Sequence, residues 1–493
     1  MLTWGHSVPL TAPTAEPLLD SIDAAADLAP AQSGGTTLSR LGEFISQRAN
    51  LEGERGRSAQ RYRRVALTAL TSIFSKVIVL VTTIVSVPLT SRYLGAERYD
   101  LWMTITSSML FLGFADFGIG NGLAAAIAQA HGKEDRAQAR RQVSYSFFLL
   151  LFLAAAICVL LLPVWHFVPW NVLFGTKTAL AGKEAGAATA ILILCAALSM
   201  PLGTVLRVQT GYQQGYLGDL WNAAGNALAL AGIFLVTRFG GGLPLLVAAV
   251  AGAPVLATAC NWIYEFFQAR PFLRPRFALF DRRTALKLGA VGGLFFLQQC
   301  FGLLYYVSDN MVIARTMGAA QVAQYVVLQR IFLIGLVAQY FMVPLWPAIA
   351  EALARRDYAW ARRVIRRAIA LSLGLGLLCG ILLLAASRWL MQRWAGVDVG
   401  AIDSLRIGFA LWVVLVGYVA SMNAILNQPG TMRRHLMLFG GAAIVSLALK
   451  IVCAQHGSLP GVIWSTLVGF GIVYIIPSAR LALRGIASEE EAA

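Results

Sequence analysis

Apolar runs, each divided from the next by a short polar segment, fill the chain from about residue 65 to about residue 480. A helix that crosses a bilayer needs about 20 mostly apolar residues, and runs of that length recur here. The pattern predicts twelve spans, at roughly 66–90, 99–128, 143–168, 186–206, 217–237, 243–267, 284–314, 320–350, 364–386, 404–426, 434–454 and 459–480. An even number puts both termini on one side. The connections are short, and none holds a soluble domain. Residues 1–60 differ in kind: they are rich in Ala, Pro, Ser, Thr and Gly, with no apolar run and no signal-peptide core. They predict a mostly disordered tail with a short helix near Leu41–Leu51.

Composition sharpens this picture. Of the 493 residues, 58% are hydrophobic and 13% charged, whereas a soluble chain carries about a quarter charged residues. The expected fold class is therefore an all-α polytopic membrane protein. The net charge is +16, from 40 Lys+Arg against 24 Asp+Glu. In a soluble protein that would suggest nucleic acid; here its placement is what informs, and no nucleic-acid partner is expected. Arg55, Arg57, Arg61, Arg63 and Arg64 precede the first span. Lys133, Arg136, Arg140 and Arg141 follow the second, Arg270, Arg274, Arg276, Arg282 and Arg283 the sixth, and Arg355, Arg356, Arg362, Arg363, Arg366 and Arg367 the eighth. Opposite loops carry few, such as Arg238 or Lys177 with Lys183. Cytoplasmic loops collect Lys and Arg, so both termini are expected in the cytoplasm, with the clusters also facing anionic membrane lipid.

Other chemistry is sparse. Six cysteines (Cys158, Cys195, Cys260, Cys300, Cys379 and Cys453) lie in or beside apolar runs without a CxxC pair, so neither disulfide nor zinc is expected. The chain has no HExxH, Walker or GxSxG pattern and no long external loop with paired carboxylates. An enzyme is not expected, nor a metal or organic cofactor.

Two short strings recur. RYLGA begins at Arg92 and RTMGA at Arg315, an offset of 315 − 92 = 223. DRAQARR begins at Asp135 and DYAWARR at Asp357, an offset of 357 − 135 = 222. Two separate matches at nearly one offset suggest that spans one to six and seven to twelve are repeats. Six spans per repeat give both halves the same orientation. Parallel-repeat transporters place their substrate sites between such halves, near the midplane.

An ionisable side chain at the bilayer centre costs at least about 2.5–3.5 kcal/mol on insertion scales, and persists where it faces a cavity or a partner. Lys76 sits in SIFSKVIVLV, Arg330 in YVVLQRIFLIG, Asp309 in YYVSDNMVIAR, and Asp116 in the second span. The repeat offset carries Lys76 onto Gln299, Arg330 near Ser108 and Asp309 onto Ser86, all polar. Lys76 and Arg330 are thus candidate anion-binding cations in a cleft, suited to phosphate or pyrophosphate. Gln299 and Tyr325 are candidate polar lining. Arg92 and Arg315, near the outer ends of spans one and seven, are weaker candidates that also fit snorkelling anchors. Asp116 and Asp309 could titrate and couple movement to H+ or Na+. The alternative for these charges is structural pairing, for example Lys76 with Asp116 or Arg330 with Asp309. In DFGIGNGLAAAIAQAHGKEDRAQARR, Gly118, Gly120 and Gly122 lack the spacing of a dinucleotide loop and are read as a hinge. Pro344 and Pro347 in PLWPAIAEA form the second candidate hinge.

The stretches SRYLGAERYDLW, LGFADFGIGNGLAAAIAQAHGKEDRAQARRQVS and PLWPAIAEALARRDYAWARR resemble the polysaccharide flippases, the O-antigen (Wzx-like) transporters of the multidrug/oligosaccharidyl-lipid/polysaccharide (MOP) exporter superfamily. The resemblance spans about 65–480. It implies a MATE-like fold of two pseudo-symmetric six-helix lobes around a central cleft, here 61–270 and 284–482, with a linker at 271–283 and tails at 1–60 and 483–493. It implies alternating access and movement of a polyprenyl-pyrophosphate-linked glycan, as undecaprenyl-pyrophosphate oligosaccharide, from the cytoplasmic to the periplasmic leaflet of a bacterial inner membrane. A glycan polymerase and export machinery are the partners it suggests. Two other readings stand beside it. One is a cation-coupled exporter of drugs or small metabolites from the same superfamily, against which Lys76 argues. The other is a membrane protein of another class, such as a scaffold that transports nothing.

Overall fold

The computed structural model describes residues 54–107, 116–165, 168–170, 174, 178–279, 282–336, 342–391, 403–428 and 430–482. The expected helix near 41–51, position 108 and the tail at 483–493 lie outside them. The chain divides into two compact units, Met1–Leu67 and Thr68–Ala493. The described part of the first, from Glu54, is helical. Helix therefore reaches into the segment expected as tail, because Glu54, Arg55, Arg57, Ala59, Gln60 and Arg61 are good helix formers.

Helices account for all the regular structure among the described residues. Their order is α1 (Glu54–Ser107), α2 (Ile119–Gly132), α3 (Arg136–Trp165), α4 (Ala179–Leu202), α5 (Thr204–Gly211), α6 (Gly215–Arg238), α7 (Leu243–Val247) and α8 (Ala253–Ile263). There follow α9 (Arg282–Tyr306), α10 (Ser308–Thr316), α11 (Ala319–Leu333), α12 (Leu345–Ala354), α13 (Tyr358–Leu390), α14 (Asp403–Leu426), α15 (Met432–Gln455) and α16 (Leu459–Phe470). In lipid every backbone N–H and C=O must be satisfied within the segment, which leaves helix as the form an apolar run of this length adopts. Nine described helices are long and apolar enough to cross a membrane; α9 with α10, bent by 42° at Val307, makes a tenth.

The remaining two of the twelve expected spans are interrupted. The segment 99–128 is not one helix: Asp116, Phe117 and Gly118 form a turn, with Phe117 at φ 48° and Gly118 at φ 73°, and α2 starts only at Ile119. The segment 320–350 is likewise divided, with α12 beginning after Pro344. Prolines are tolerated in a first helical turn, whose N–H groups have no intrahelical acceptor. Pro344 and Pro347 thus begin a helix where a kinked continuous one was expected.

The backbone repeats where the sequence strings repeat. Gly95 (φ 71°, ψ 173°) breaks α1, and Gly318 (φ 92°, ψ 171°), 223 residues later, separates α10 from α11 in the same conformation. Both positions fall in the left-handed region, where glycine carries no Cβ penalty. The second string repeats in detail. Glu134 (φ 57°) and Arg356 (φ 61°) both take left-handed backbone. The amide of Asp135 donates to Ala130 O and that of Asp357 to Ala352 O, both at 2.9 Å. The carboxylates of Asp135 and Asp357 then accept from the amides of Gln138 and Trp360, at 2.8 and 3.3 Å, capping α3 and α13. A third correspondence was not evident in the sequence. Gly240 (φ 72°) and Gly457 (φ 73°) follow α6 and α15, and each precedes a helix opening on Leu-Pro, at Leu243 and Leu459.

Close packing in the second half rests on small residues. A Cβ on Gly376, Gly380 or Gly417 would meet α13 or α14 backbone at 2.8–3.0 Å, so the two helices approach to near contact there. Ser421 Oγ donates to Ser372 Oγ across the same seam at 2.7 Å. This is how helices associate where lipid supplies no hydrophobic drive.

Candidate functional site

Lys76 projects from the first apolar span on α1. It is exposed, and it makes no hydrogen bond or ion pair with a described residue. Its charge acts on Asp219, one turn into α6. Asp219 Oδ2 accepts hydrogen bonds from Ser72 Oγ at 2.5 Å and from Thr71 Oγ1 at 3.4 Å, both on α1. A further bond from Thr82 Oγ1 to Asn226 O, at 3.5 Å, continues the α1–α6 contact. The result is a lysine without a direct partner, beside a carboxylate held by hydroxyls.

The second ionic group is dry. Lys450, fully buried on α15, places Nζ 2.6 Å from Asp309 Oδ1. Tyr325 Oη donates to Asp309 Oδ2 at 2.5 Å, and Lys450 Nζ also donates to Ser308 Oγ at 3.2 Å. Asp309 lies beside the bend between α9 and α10. Arg330 was one example of a structural partner for it under the pairing alternative; the partner is Lys450. Arg330 sits in the last turn of α11, exposed and with no ion pair among the described residues. Arg92 and Arg315 are also exposed. The arrangement brings Asp309 and Tyr325 together and leaves Lys76, Arg330, Arg92 and Arg315 apart from them.

Asp116 does not pair with Lys76. Its Oδ1 accepts from the amide of Gly118 at 2.9 Å, and its Oδ2 faces Arg207 Nη2 at 3.8 Å. Arg207 also donates to Asn121 Oδ1 at 2.8 Å. The expected hinge glycines explain themselves here. A Cβ on Gly118 would lie 2.3 Å from Gly292 O, and one on Gly120 would lie 2.6 Å from Asp116 Oδ2. Gly122 is buried and its amide bonds to Gly118 O at 3.0 Å. A cavity of about 500 Å³ beside this turn is lined by apolar groups, among them Phe117, Leu149, Phe152 and Phe296. It offers no charge to an anion.

A further polar chain runs through the second half. Gln298 Nε2 donates to Asn423 Oδ1 at 2.9 Å and to Asn427 Oδ1 at 3.2 Å. His435 bridges Asn427 Oδ1 (3.0 Å) and Tyr474 Oη (2.7 Å). Gln299, the expected polar lining, is half-buried beside this chain in sequence and forms none of its bonds.

The repeat-related turns meet each other. Gln213 Nε2 donates to Glu351 Oε2 at 2.8 Å. Arg355 donates to Glu351 Oε1 at 2.5 Å, to Glu134 Oε1 at 2.9 Å and to His131 O at 3.4 Å. Burial works against the Arg355 charge, but hydrogen bonds to Glu134 and Glu351 outweigh it and hold the guanidinium above its ordinary range. A Cβ on Gly132 would lie 2.5 Å from the Cβ of Ala354. Since 354 − 132 = 222, the two touching residues stand at the offset of the repeated strings. Among the described residues no group of three or more His, Cys, Asp or Glu is placed to hold a metal ion.

Several of these residues escaped sequence reading. Lys450 lies four residues inside the expected end of its span and passes for an interfacial lysine. Asp219 and Arg207 flank short loops and look solvated. Gln298 and Gln299 are adjacent, and only the helix phase separates them.

The fold is that of the MATE transporters of the MOP superfamily. It is similar to the outward-facing conformation of a multidrug resistance MATE family transporter (TM-score 0.73, 15% identity, covering 92% of this chain and 99% of that one). It is also similar to a MOP superfamily transporter from Pyrococcus furiosus described as having a binding pocket of reversed polarity (TM-score 0.69, 15% identity, 91% and 97% covered). A MATE structure in the straight conformation matches at TM-score 0.70 with 16% identity, over 91% and 98% of the two chains. The model of the polysaccharide biosynthesis protein family matches residues 65–353, and the chain belongs to that family. No curated protein sequence matches it.

Proposed function

We propose that this multi-pass membrane protein is a flippase for undecaprenyl-pyrophosphate-linked oligosaccharide, moving it from the cytoplasmic to the periplasmic leaflet of a bacterial inner membrane for surface polysaccharide synthesis. Membership in a polysaccharide biosynthesis family and a transporter fold support a MOP-type flippase or exporter. The observation that carries the choice of cargo is Lys76, a cation inside an apolar span with no ion-pair partner among the described residues. A phosphate or pyrophosphate group would supply the missing charge. Arg330, also exposed and without an ion pair among the described residues, is the second candidate contact, and Arg92 and Arg315 are outlying ones.

In this reading both termini are cytoplasmic, because the basic clusters flank the spans on that side. The turn at His131–Asp135 and its repeat at Leu353–Asp357 are then cytoplasmic, and their contact through Arg355, Glu134, Glu351 and Gln213 closes that side. Alternating access requires the contact to part so that cargo enters, and to re-form as the other side opens. The Asp309–Lys450 pair is a candidate ion-coupling point, beside a bent helix. A glycan polymerase and export proteins would receive the product.

A second reading, a cation-coupled exporter of small molecules, is favoured by Asp219, a partly buried carboxylate that accepts hydrogen bonds from Ser72 and Thr71. Deleting the gene and analysing lipids separates the two. Polyprenyl-linked glycan accumulating on the inner leaflet is the expected outcome. Normal lipid-linked glycan with increased drug sensitivity would favour the second reading and overturn the first.

A further inference from the structure

The polar cluster between α1 and α6 does more than place a lysine in lipid. Its centre is Asp219, which the flippase reading leaves without a task. Among the described residues its hydrogen bonds arrive at one oxygen, Oδ2, from Ser72 and Thr71. Hydroxyls that donate in this way favour the ionised carboxylate. Lys76 follows Ser72 by one turn of α1, so it stands on the helix face that meets Asp219, and it forms no ion pair with a described residue. The elements packed on α6 add little other charge. On α5, Arg207 is engaged with Asn121 and Asp116, and Gln209 is bonded to Asn261 and Glu265. α7 carries no ionisable residue, and Cys260 is the one titratable group on α8. On α6 itself, Tyr216 lies one turn before Asp219 and Arg238 at the far end.

A bound metal cation does not suit this cluster. The Ser72 and Thr71 hydroxyls would have to rotate away from donating to the carboxylate before they could coordinate an ion. The nearby ammonium would repel the ion as well. A proton is the one cation that Asp219 can accept without displacing any of these groups.

We infer that Asp219 is the counter-charge that sets the availability of Lys76. With Asp219 ionised, its charge competes with an incoming anion for the lysine. With Asp219 protonated, the lysine is released to a phosphate or pyrophosphate group. This rests on the reading that Lys76 receives an anionic cargo. Proton and anion then bind together rather than in exchange, and by linkage each strengthens the other's binding equally. A proton taken up in this way accompanies the cargo and lowers the charge that crosses the bilayer. The inward proton gradient cannot drive export through this pair, because the coupled proton travels outward with the lipid.

The test uses the full-length protein in nanodiscs with farnesyl pyrophosphate as the probe, its affinity measured across pH 5 to 8. Titration of the probe is common to every variant and cancels in the comparison. At the acid end the wild-type protein and Asp219→Asn should bind alike, and at the alkaline end the wild type should bind at least about fivefold more weakly than Asp219→Asn, within the usual range of such couplings. Lys76→Gln should bind weakly throughout. Ser72→Ala with Thr71→Val, which leaves both charges in place, should move the wild-type transition to higher pH, because the ionised carboxylate loses its donors. An Asp219→Asn protein that keeps the wild-type pH profile, or binds as weakly as Lys76→Gln, overturns the inference and leaves the cargo reading standing. A wild-type protein that does not bind farnesyl pyrophosphate at any pH overturns both.

Discussion

Lys76 and Lys450 are both lysines within apolar helices, and the structure treats them in opposite ways. Lys450 is fully buried and neutralised by Asp309 at 2.6 Å, with Tyr325 completing the carboxylate's shell. Removing one member of such a pair strands the other, which costs about 3–5 kcal/mol. Lys450→Met should therefore lower the thermal unfolding temperature of the purified protein markedly. Adding Asp309→Leu and Tyr325→Phe should recover most of the loss, because no charge then remains unpaired. An unchanged unfolding temperature in the single variant would show the pair to be solvated. Lys76 should behave differently: Lys76→Ala and Arg330→Ala are each expected to abolish surface glycan while protein levels stay normal, read by complementation of a deletion strain with immunoblotting. Complementation by both would remove the proposed anion contacts. Sequence identified Lys76 because it interrupts a run in mid-span. It missed Lys450 because burial and partner choice depend on which face α15 turns toward α9 and α10, and helix phase in a uniformly apolar segment is not written in the residues.

At the scale of elements, the breaks carry most of the meaning. Gly95 and Gly318, and the turns at Glu134 and Arg356, were legible as repeated strings, and each string is a required backbone conformation. Left-handed residues and capping aspartates recur because the turns need them. The breaks at 116–118 and before Leu345 were legible only as glycines, an aspartate and prolines; continuous spans were expected there. Apolar content alone cannot tell a kinked helix from an ended one. The contact between Gly132 and Ala354 was not legible at all, since it is formed by two halves folded against each other. Gly132→Val should prevent that contact from closing, because its side chain would collide with Ala354 and with Glu351 O. The expected result is transport reduced at least about tenfold, with Arg355→Cys labelled faster by a soluble maleimide in the Gly132→Val background. Equal labelling with normal transport would show that the contact is not part of the cycle.

For the whole molecule, left-handed backbone recurs at Gly95 and Gly318 and at Glu134 and Arg356, where the two sequence strings recur. The described fold is similar to that of the MATE structures, and the family match covers residues 65–353, from the first span into α12. Residues 1–53 stand before the first described helix, and a protein lacking residues 2–50 should still insert into the membrane, as judged by carbonate extraction; failure to insert would assign the tail a structural part. The most direct measurement is transport by the purified full-length protein in liposomes loaded with undecaprenyl-pyrophosphate-linked oligosaccharide, with accessibility of the glycan to an external lectin followed over time. Passage of an anionic lipid between the halves predicts rapid exposure with the wild-type protein and none above empty liposomes with Lys76→Ala. Equal exposure with both proteins, or none with either while the wild type remains folded, would contradict it.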